Sequence, residues 1–251
     1  IFERADSTLR EASEAKYDRI CRKLNLTTDD EVLEIGTGWG GFALYAATRY
    51  GCRVTTTTIS KEQHEYAAER IRKAGLEDRV TLLFDDYRNL EGSYDKLVSI
   101  EMIEAVGHEY FDTFFQKCSS LLKPDGLFAL QAITIPDQRY ERYRKSVDFI
   151  QKYIFPGGHI PSLGEMAAIF EPNRFTVLDV ENLRLHYART CADWLANFEV
   201  VADRVAERFD EAFTRMWRLY LAGASAGFRS GTLQLYQVVF AHGDNNDVPR
   251  T

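Results

Sequence analysis

A short strand that runs into a cluster of glycines is the feature that most constrains how this chain can fold. Residues 32–35 form an apolar run typical of a buried strand, and residues 42–47 have the apolar spacing of a helix. Residues 36–41 between them read Gly-Thr-Gly-Trp-Gly-Gly. Glycines at such a corner let the backbone approach a ligand closely, and the first turn of the following helix offers unpaired amides. The sequence therefore predicts a ligand site at this corner.

The spacing of these glycines is compatible with two kinds of cofactor site. Gly36, Gly38 and Gly41 satisfy the dinucleotide pattern G-x-G-x-x-G. Glu34, however, precedes the first glycine at a position where a carboxylate can hold the ammonium group of an amino-acid-like ligand. The next predicted strand, residues 54–59, also ends without the acid that a dinucleotide site places on the ribose. The order acid-x-Gly-x-Gly resembles the first motif of the S-adenosylmethionine-dependent methyltransferases, and a dehydrogenase is the alternative.

Strands and helices alternate along the first half of the chain, which is typical of a parallel sheet covered by helices. Strands are predicted at residues 31–35, 54–59, 80–84, 96–100, 127–135, 175–180 and 232–240. Helices are predicted at about 9–24, 42–50, 60–74, 110–122, 162–170 and 191–226. We therefore expect an α/β fold with a doubly wound, mostly parallel, seven-stranded sheet. Ligands of such sheets bind at the carboxyl ends of the strands.

Composition narrows the class of function. The chain has 251 residues, 45% of them hydrophobic and 27% charged, which is typical of a globular domain with a buried core. Its formal net charge of −7 argues against a nucleic-acid-binding protein, which would present a basic face. No apolar run is long enough to span a membrane, and no signal peptide is visible. The four cysteines and five histidines lack ligand spacing, so we expect free thiols in a reducing cytosol and no bound metal.

Eight stretches of the chain resemble, in the same order, the motifs of the cyclopropane-fatty-acid synthase and mycolic acid methyltransferase family. They lie at residues 32–41, 58–63, 86–88, 103–108, 130–135, 155–161, 186–190 and 228–231, ahead of Gln237. The resemblance covers nearly the whole chain. It implies a class I, Rossmann-like methyltransferase domain over residues 1–251, with a helical lid at about 139–198 over an acyl pocket. It also implies that an upstream segment of the family precedes Ile1.

The resemblance implies that the protein transfers a methyl group from S-adenosylmethionine to the cis double bond of an unsaturated acyl chain, forming a cyclopropane ring. A double bond is a weak nucleophile, so such a site has to exclude water, and aromatic faces can stabilise the cation that forms. The cofactor-binding residues expected from the matching motifs are Glu34, Gly36, Thr37, Gly38, Gly40, Thr58, Ile59, Ser60, Gln63, Asp86 and Tyr87. Thr58, Ser60 and Gln63 are equally compatible with a helix cap.

The family is thought to use bound bicarbonate as the base that removes a proton from the new methyl group. By position, the residues that match its binding set are Glu104, Gln131, Ile133 through its backbone, and Tyr220. Many family members carry histidine at Gln131, and an amide can donate a hydrogen bond to an anion but cannot take up a proton. Glu104 could instead form a solvated pair with Glu101 on one helix face, and Tyr220 could be plain core.

The substrate implied is an acyl lipid, most simply a phospholipid, so we expect a cytoplasmic protein peripherally associated with the inner face of the membrane. Basic and aromatic side chains alternate in residues 139–155, which suits either a lipid-facing or a solvated amphipathic helix. The sequence does not decide whether the protein forms a homodimer. The alternatives are a methyltransferase that ends at a methyl branch, one that acts on a polar nitrogen or oxygen, and a non-catalytic cofactor- or lipid-binding protein.

Overall fold

The computed structural model describes residues 1–170, 172–243 and 245, and it contains one sheet with helices packed on both faces. The strands are β1 (Glu31–Ile35), β2 (Arg53–Thr58), β3 (Val80–Phe84), β4 (Tyr94–Ile100), β5 (Leu122–Thr134), β6 (Phe175–Asn182) and β7 (Gln234–His242). The helices are α1 (Leu9–Lys23), α2 (Gly41–Tyr50), α3 (Lys61–Ala74), α4 (Phe111–Leu121), α5 (Asp137–Tyr143), α6 (Phe149–Tyr153), α7 (Leu163–Phe170), α8 (Arg184–Arg208) and α9 (Glu211–Ser230).

The seven strands lie in the order β3-β2-β1-β4-β5-β7-β6. The first five are parallel to one another, and β7 runs antiparallel to both β5 and β6. The predicted α/β fold with a mostly parallel seven-stranded sheet is therefore confirmed. The strand order reverses between β1 and β4, and open α/β sheets bind ligands at the carboxyl ends of the strands beside such a point.

Two apolar cores hold the sheet rigid beneath that edge. On one face, α4 and α7 pack a cluster of phenylalanines against β5 and β7, with Phe115, Phe128 and Phe240 fully buried. On the other face, α1, α2 and α3 bury Ile20, Phe42 and their neighbours against β1 and β2. Because both faces are close-packed, the loops at the carboxyl edge start from fixed positions.

Helix α1 connects distant parts of the chain. Tyr17 places its hydroxyl against Gly41 at the start of α2. Arg19 forms an ion pair of 2.5 Å with Glu181 on β6, and Lys23 forms ion pairs of 2.6 and 2.8 Å with Asp179 and Glu181. The helix thus links the glycine corner to the far edge of the sheet.

The predicted strands 31–35 and 80–84 have the bounds of β1 and β3, whereas the helix predicted at 191–226 is wrong in detail. It begins at Arg184 and is interrupted between α8 and α9, where the Asp210 side chain accepts a hydrogen bond of 2.6 Å from the Phe213 amide and caps α9. Gly231 adopts a left-handed conformation that ends α9, and the last strand starts at Gln234, two residues later than predicted.

The range predicted as a lid, residues 139–198, contains more than helices above the sheet. Helix α7 buries Met166 and Phe170 in the phenylalanine core, and β6 pairs with β7 in the main sheet. Two parts lie outside both: residues 137–161, which carry α5, α6 and a loop, and residues 184–198 of α8, which pack in a separate cluster with α9. The role of residues 139–198 as a lid stays a prediction.

Candidate functional site

The glycine corner between β1 and α2 curls around open space. Gly36 and Gly38 have φ angles of +102° and +52°, a region that side chains rarely adopt. A Cβ atom on Gly36 would lie 3.1 Å from the side chain of Met102, so the segment after β4 packs directly against this corner. A Cβ atom on Gly38 would meet no protein atom within 4 Å. The backbone at Gly38 is therefore open to the approach of a ligand.

Glu34 lies beneath the corner and is 2% exposed. Its Oε2 accepts a hydrogen bond of 2.7 Å from Thr56, whose hydroxyl lies 2.8 Å from that of Thr37. Burial raises the pKa of Glu34 to about 8. A buried carboxyl group of this kind gains most from a cationic ligand, because a nearby positive charge favours its ionised form. The site thus fits the ammonium end of S-adenosylmethionine, with Thr37 and Thr56 orienting the carboxylate.

The residues predicted at the end of β2 form the cap of the next helix. Ser60 accepts a hydrogen bond of 3.3 Å from the Gln63 amide, and the Thr58 hydroxyl donates to the Gln63 side chain over 2.8 Å. Ile59 projects outward and is 73% exposed. The helix-cap interpretation is therefore correct for Ser60, and a role of these residues at the cofactor stays a prediction.

Asp86 and Tyr87 follow β3 and are already engaged within the protein. Both carboxylate oxygens of Asp86 accept bonds from Arg88, at 2.9 and 2.7 Å, and these bonds hold the pKa of Asp86 below its usual value. The Tyr87 ring packs edge-on against Phe114 at 5.5 Å. Their contact with adenine stays a prediction. Such a contact would have to form while Asp86 is bonded to Arg88.

Glu104 lies in a short 3₁₀ turn after β4 and reaches across to β5. Its Oε1 accepts a hydrogen bond of 2.6 Å from the Ile133 amide, and its Oε2 is buried without a partner among the described residues. Burial and the neighbouring Glu101 raise the pKa of Glu104 to about 8. Near neutral pH this group is therefore mainly a neutral acid, which can donate a hydrogen bond from the unpartnered oxygen.

Gln131 belongs to a second cluster beside Glu104. Its Nε2 donates to Glu101 Oε1 over 2.6 Å and to the Tyr187 hydroxyl over 2.9 Å, and its Oε1 accepts a bond of 3.0 Å from Gln237. The Tyr187 hydroxyl also donates to Glu101 Oε1. Behind Tyr187, the Lys16 ammonium donates to the same hydroxyl over 3.4 Å. We call Glu101, Gln131 and Tyr187 the Glu101 cluster.

Two members of this cluster were missed by reasoning from the sequence. Glu101 was considered only as part of a solvated pair with Glu104, but residues 101 and 104 occupy a turn and each is bound by β5. Tyr187 lies in the matching stretch 186–190, which was the available signal.

Tyr220, which was predicted at the site, packs edge-on against Phe155 and Trp217, and it forms no hydrogen bond to the Glu101 cluster. Burial raises the pKa of Tyr220 to about 12.

The aromatic residues of the predicted lid divide into two groups. Tyr140 and Tyr143 are buried against the ring of His159, and the Tyr140 hydroxyl lies 3.0 Å from its Nε2. Burial lowers the pKa of His159 to about 4, so this ring is neutral. The His159 amide donates to the Glu104 carbonyl over 2.7 Å, which ties residues 137–161 to the site. Tyr153 and Phe155 are about half exposed and remain available to an apolar ligand.

Two of the donors predicted for bicarbonate are already used in hydrogen bonds within the chain. Gln131 uses both amide hydrogens on Glu101 and Tyr187, and the Ile133 amide donates to Glu104. Two donors remain, the acid form of Glu104 and the Tyr220 hydroxyl, which forms no hydrogen bond among the described residues. The donors of Gln131 and Ile133 therefore do not fit bicarbonate as the resemblance implied, because both are already used.

Comparisons with known proteins identify the family of the chain. The family model described as "Mycolic acid cyclopropane synthetase" matches residues 1–238. A tuberculostearic acid methyltransferase of Mycobacterium tuberculosis, UfaA1, is 42% identical over 231 residues, which cover 91% of this chain and 54% of that protein. A cyclopropane-fatty-acyl-phospholipid synthase of Escherichia coli is 40% identical over 239 residues, covering 95% of this chain and 60% of the other.

Solved structures of cyclopropane synthases have the same fold as this chain. The cyclopropane synthase MmaA2 from Mycobacterium tuberculosis superposes with a TM-score of 0.88 at 28% identity, covering 96% of this chain and 87% of the other. The mycolic acid cyclopropane synthase CmaA1, complexed with SAH and CTAB, has the same TM-score at 31% identity, with 95% and 87% covered. The chain spans little more than half the length of the two curated relatives described above. It belongs to the mycolic acid cyclopropane synthetase family of S-adenosylmethionine-dependent methyltransferases.

Proposed function

We propose that this protein transfers the methyl group of S-adenosylmethionine to the cis double bond of an unsaturated acyl chain carried by a lipid. The observation that carries the proposal is the packing of Met102 against Gly36, which brings the carboxyl groups of residues 101–104 beside the cofactor corner. A site that places acid–base groups directly next to a methyl donor suits a reaction in which a proton leaves after methyl transfer.

Each part of the site has a distinct task in this reaction. S-adenosylmethionine supplies an electrophilic methyl group when bound. Glu34 binds the ammonium group of the cofactor, and the glycine corner lets the backbone lie in close contact with it. The apolar surface of residues 137–161, with Tyr153 and Phe155, keeps water from the double bond and from the cation that follows methyl transfer. Aromatic faces stabilise such a cation without reacting with it.

Two products can follow from this common step. Ring closure gives a cyclopropane, and this is the product that we propose first, in line with the family resemblance. The name of the 42% identical relative favours the second candidate, an acyl chain with a one-carbon branch. Bicarbonate is not needed for either product if the chain supplies its own base.

A lipid substrate requires contact with a membrane surface. Among the described residues, no helix is long and apolar enough to cross a bilayer. Val147, Tyr153 and Phe155 are exposed on residues 137–161, and the neighbouring side chains of Arg142 and Lys145 are also exposed. This mixture of apolar and basic groups suits peripheral binding to an anionic leaflet, which faces the cytoplasm in cells.

The test is a reaction with isotopically labelled S-adenosylmethionine and vesicles of dioleoylphosphatidylglycerol. We expect label in the acyl chains after hydrolysis of the lipid, and proton NMR then distinguishes cyclopropane hydrogens from those of an exocyclic methylene. Label in the headgroup would favour the polar-acceptor alternative instead. Cofactor binding without any labelled lipid would indicate a non-catalytic protein and would overturn the proposal for this substrate.

A further inference from the structure

We propose that Glu101 is the general base of this site, a carboxylate of the chain itself that takes the place of a bound anion. This inference rests on the proposed function, because a base is needed only if a proton leaves the transferred methyl group. It adds a catalytic residue that the motif comparison did not identify, and it explains why the donors around Gln131 are not free.

The hydrogen bonds of Glu101 hold its carboxyl group in a fixed orientation. Its Oε1 accepts from the Gln131 amide at 2.6 Å and from the Tyr187 hydroxyl, whereas its Oε2 receives no hydrogen bond from the described residues. The Lys16 ammonium lies behind Tyr187 and favours negative charge at the cluster. One oxygen thus fixes the group in place, and the other is available to take a proton.

The backbone at Glu101 is held in a conformation that carries a cost. Its φ angle is +53°, the left-handed region that glycine adopts freely and that is unfavourable for other residues. The Glu101 amide donates to the Gln131 carbonyl over 2.8 Å, so the strained residue is tied to β5 by both backbone and side chain. Strain that the surroundings maintain is concentrated at functional positions. Here it turns a carboxylate into the cleft at the end of β4.

Glu101 lies in the same cleft as the cofactor corner. Its neighbour Met102 packs against Gly36, at the bend that follows β1. Tyr17 contacts Gly41 and also lies near both Glu34 and Glu101. Burial, and to a smaller extent the negative charges of these two carboxyl groups, raises the pKa of the Tyr17 hydroxyl to about 12. The cluster therefore borders the space where a methyl donor meets its acceptor.

Glu104, the second glutamate of this segment, is less suited to the role of base. Glu104 is buried, and both burial and the negative charge of Glu101 raise its pKa to about 8. It is therefore mainly neutral near pH 7, which makes it a poor base and a possible donor. Glu101, whose Oε2 receives no hydrogen bond from the described residues, then remains as the base.

The proposed step balances without an added oxidant or reductant. The double bond uses its π electrons to form a C–C bond to the methyl carbon, the sulfur leaves with the S–C electron pair, and a cation remains on the adjacent carbon. Glu101 takes a proton from the new methyl group, and the C–H electron pair closes the three-membered ring. If hydride first shifts to the cationic carbon, the same pair instead forms an exocyclic C=C bond.

The experiment compares wild type with Glu101→Gln, Glu101→Gly and the exposed control Glu91→Gln in carbonate-free buffer, with the labelled vesicle assay described above. We expect the wild type to react at its full rate without added bicarbonate. Glu101→Gln should lose about 10²–10⁴-fold in product formation, the usual contribution of a general base. Its cofactor affinity by calorimetry should stay within about threefold of wild type, as should that of the control.

Glu101→Gly separates a catalytic role from a structural one. Glycine is suited to the left-handed backbone, so this variant should fold, and it leaves space where the carboxylate was. We expect its activity to be low and to be restored in a saturable manner by formate or bicarbonate, with little effect of either on wild type. A wild type that requires bicarbonate, or a Glu101→Gln variant that keeps a fifth or more of its rate, would overturn the inference. A wild type that methylates no acyl chain would instead overturn the proposed function.

Discussion

Glu34 and Glu104 make the stability of the ligand-free protein depend on pH. Burial raises the pKa of each carboxyl group to about 8 in the folded chain, from an ordinary value of 4.5. The folded protein therefore binds more protons than the unfolded chain between these two values. The stabilising contribution is complete below about pH 4.5 and is lost as the pH rises through 8.

We expect the urea midpoint of the ligand-free protein to fall as the pH rises from about 5.5 to about 8.5. Glu34→Gln should reduce this slope, because the amide stays neutral throughout while it still accepts the bond from Thr56. The control Glu91→Gln changes an exposed glutamate and should keep the wild-type slope. Equal slopes in all three proteins would contradict the raised pKa of Glu34.

Gly38 offers a direct test of where the cofactor binds. Gly75, at the end of α3, has a similar left-handed φ angle of +65°, and at both positions a Cβ atom would meet nothing within 4 Å. Gly38→Val and Gly75→Val should therefore lose comparable stability, about 1–2 kcal/mol, from the backbone alone. Only Gly38→Val should lose affinity for S-adenosylhomocysteine by calorimetry, because only its side chain enters the cleft. Unchanged affinity in Gly38→Val would show that the cofactor lies elsewhere.

Helix α5 has one buried face and one exposed basic face. Tyr140 and Tyr143 are buried, whereas Arg139 and Arg142 are exposed, one helical turn apart. If residues 137–161 meet the membrane, Arg139→Glu with Arg142→Glu should weaken cosedimentation with anionic vesicles. Wild-type binding should also fall as salt screens the charges.

The control for this prediction carries the same change of charge on other helices. Arg10→Glu with Arg72→Glu alters exposed positions on α1 and α3, away from α5. A general effect of net charge would weaken vesicle binding equally in both double variants, and this result would count against a lipid-facing α5.

Local sequence signals predicted the elements whose cause is local. The apolar run of β1, the glycine corner and the Ser60 cap each depend on neighbours in the chain, and each was predicted at or near its observed position. The break between α8 and α9 was missed because the apolar spacing continues on both sides of Asp210. An Asp cap within a long periodic stretch is a weak signal on its own.

The Glu101 cluster was missed for a different reason. Tyr187 donates to Glu101 across 86 positions of sequence, and Gln131 does so across 30. No spacing rule relates residues at such separations, and the left-handed φ angle of Glu101 is set by its attachment to β5. The cofactor motif could therefore be found from the sequence, whereas the arrangement of the proposed base required the folded chain.

The hydrogen bonds and ion pairs of α1 connect it to residues that lie far later in the sequence. Arg19 and Lys23 meet partners on β6 that lie 162 and 156 positions later, and Lys16 meets Tyr187 after 171. A nascent chain that ends before residue 175 already contains the whole glycine corner and the segment after β4. It lacks the tyrosine that orients Glu101, and its first helix has no partner at the sheet edge. Contacts of such long separation form late because loop closure is entropically costly. A chain that stops there therefore holds the residues of the glycine corner but not the tyrosine that orients the base proposed above.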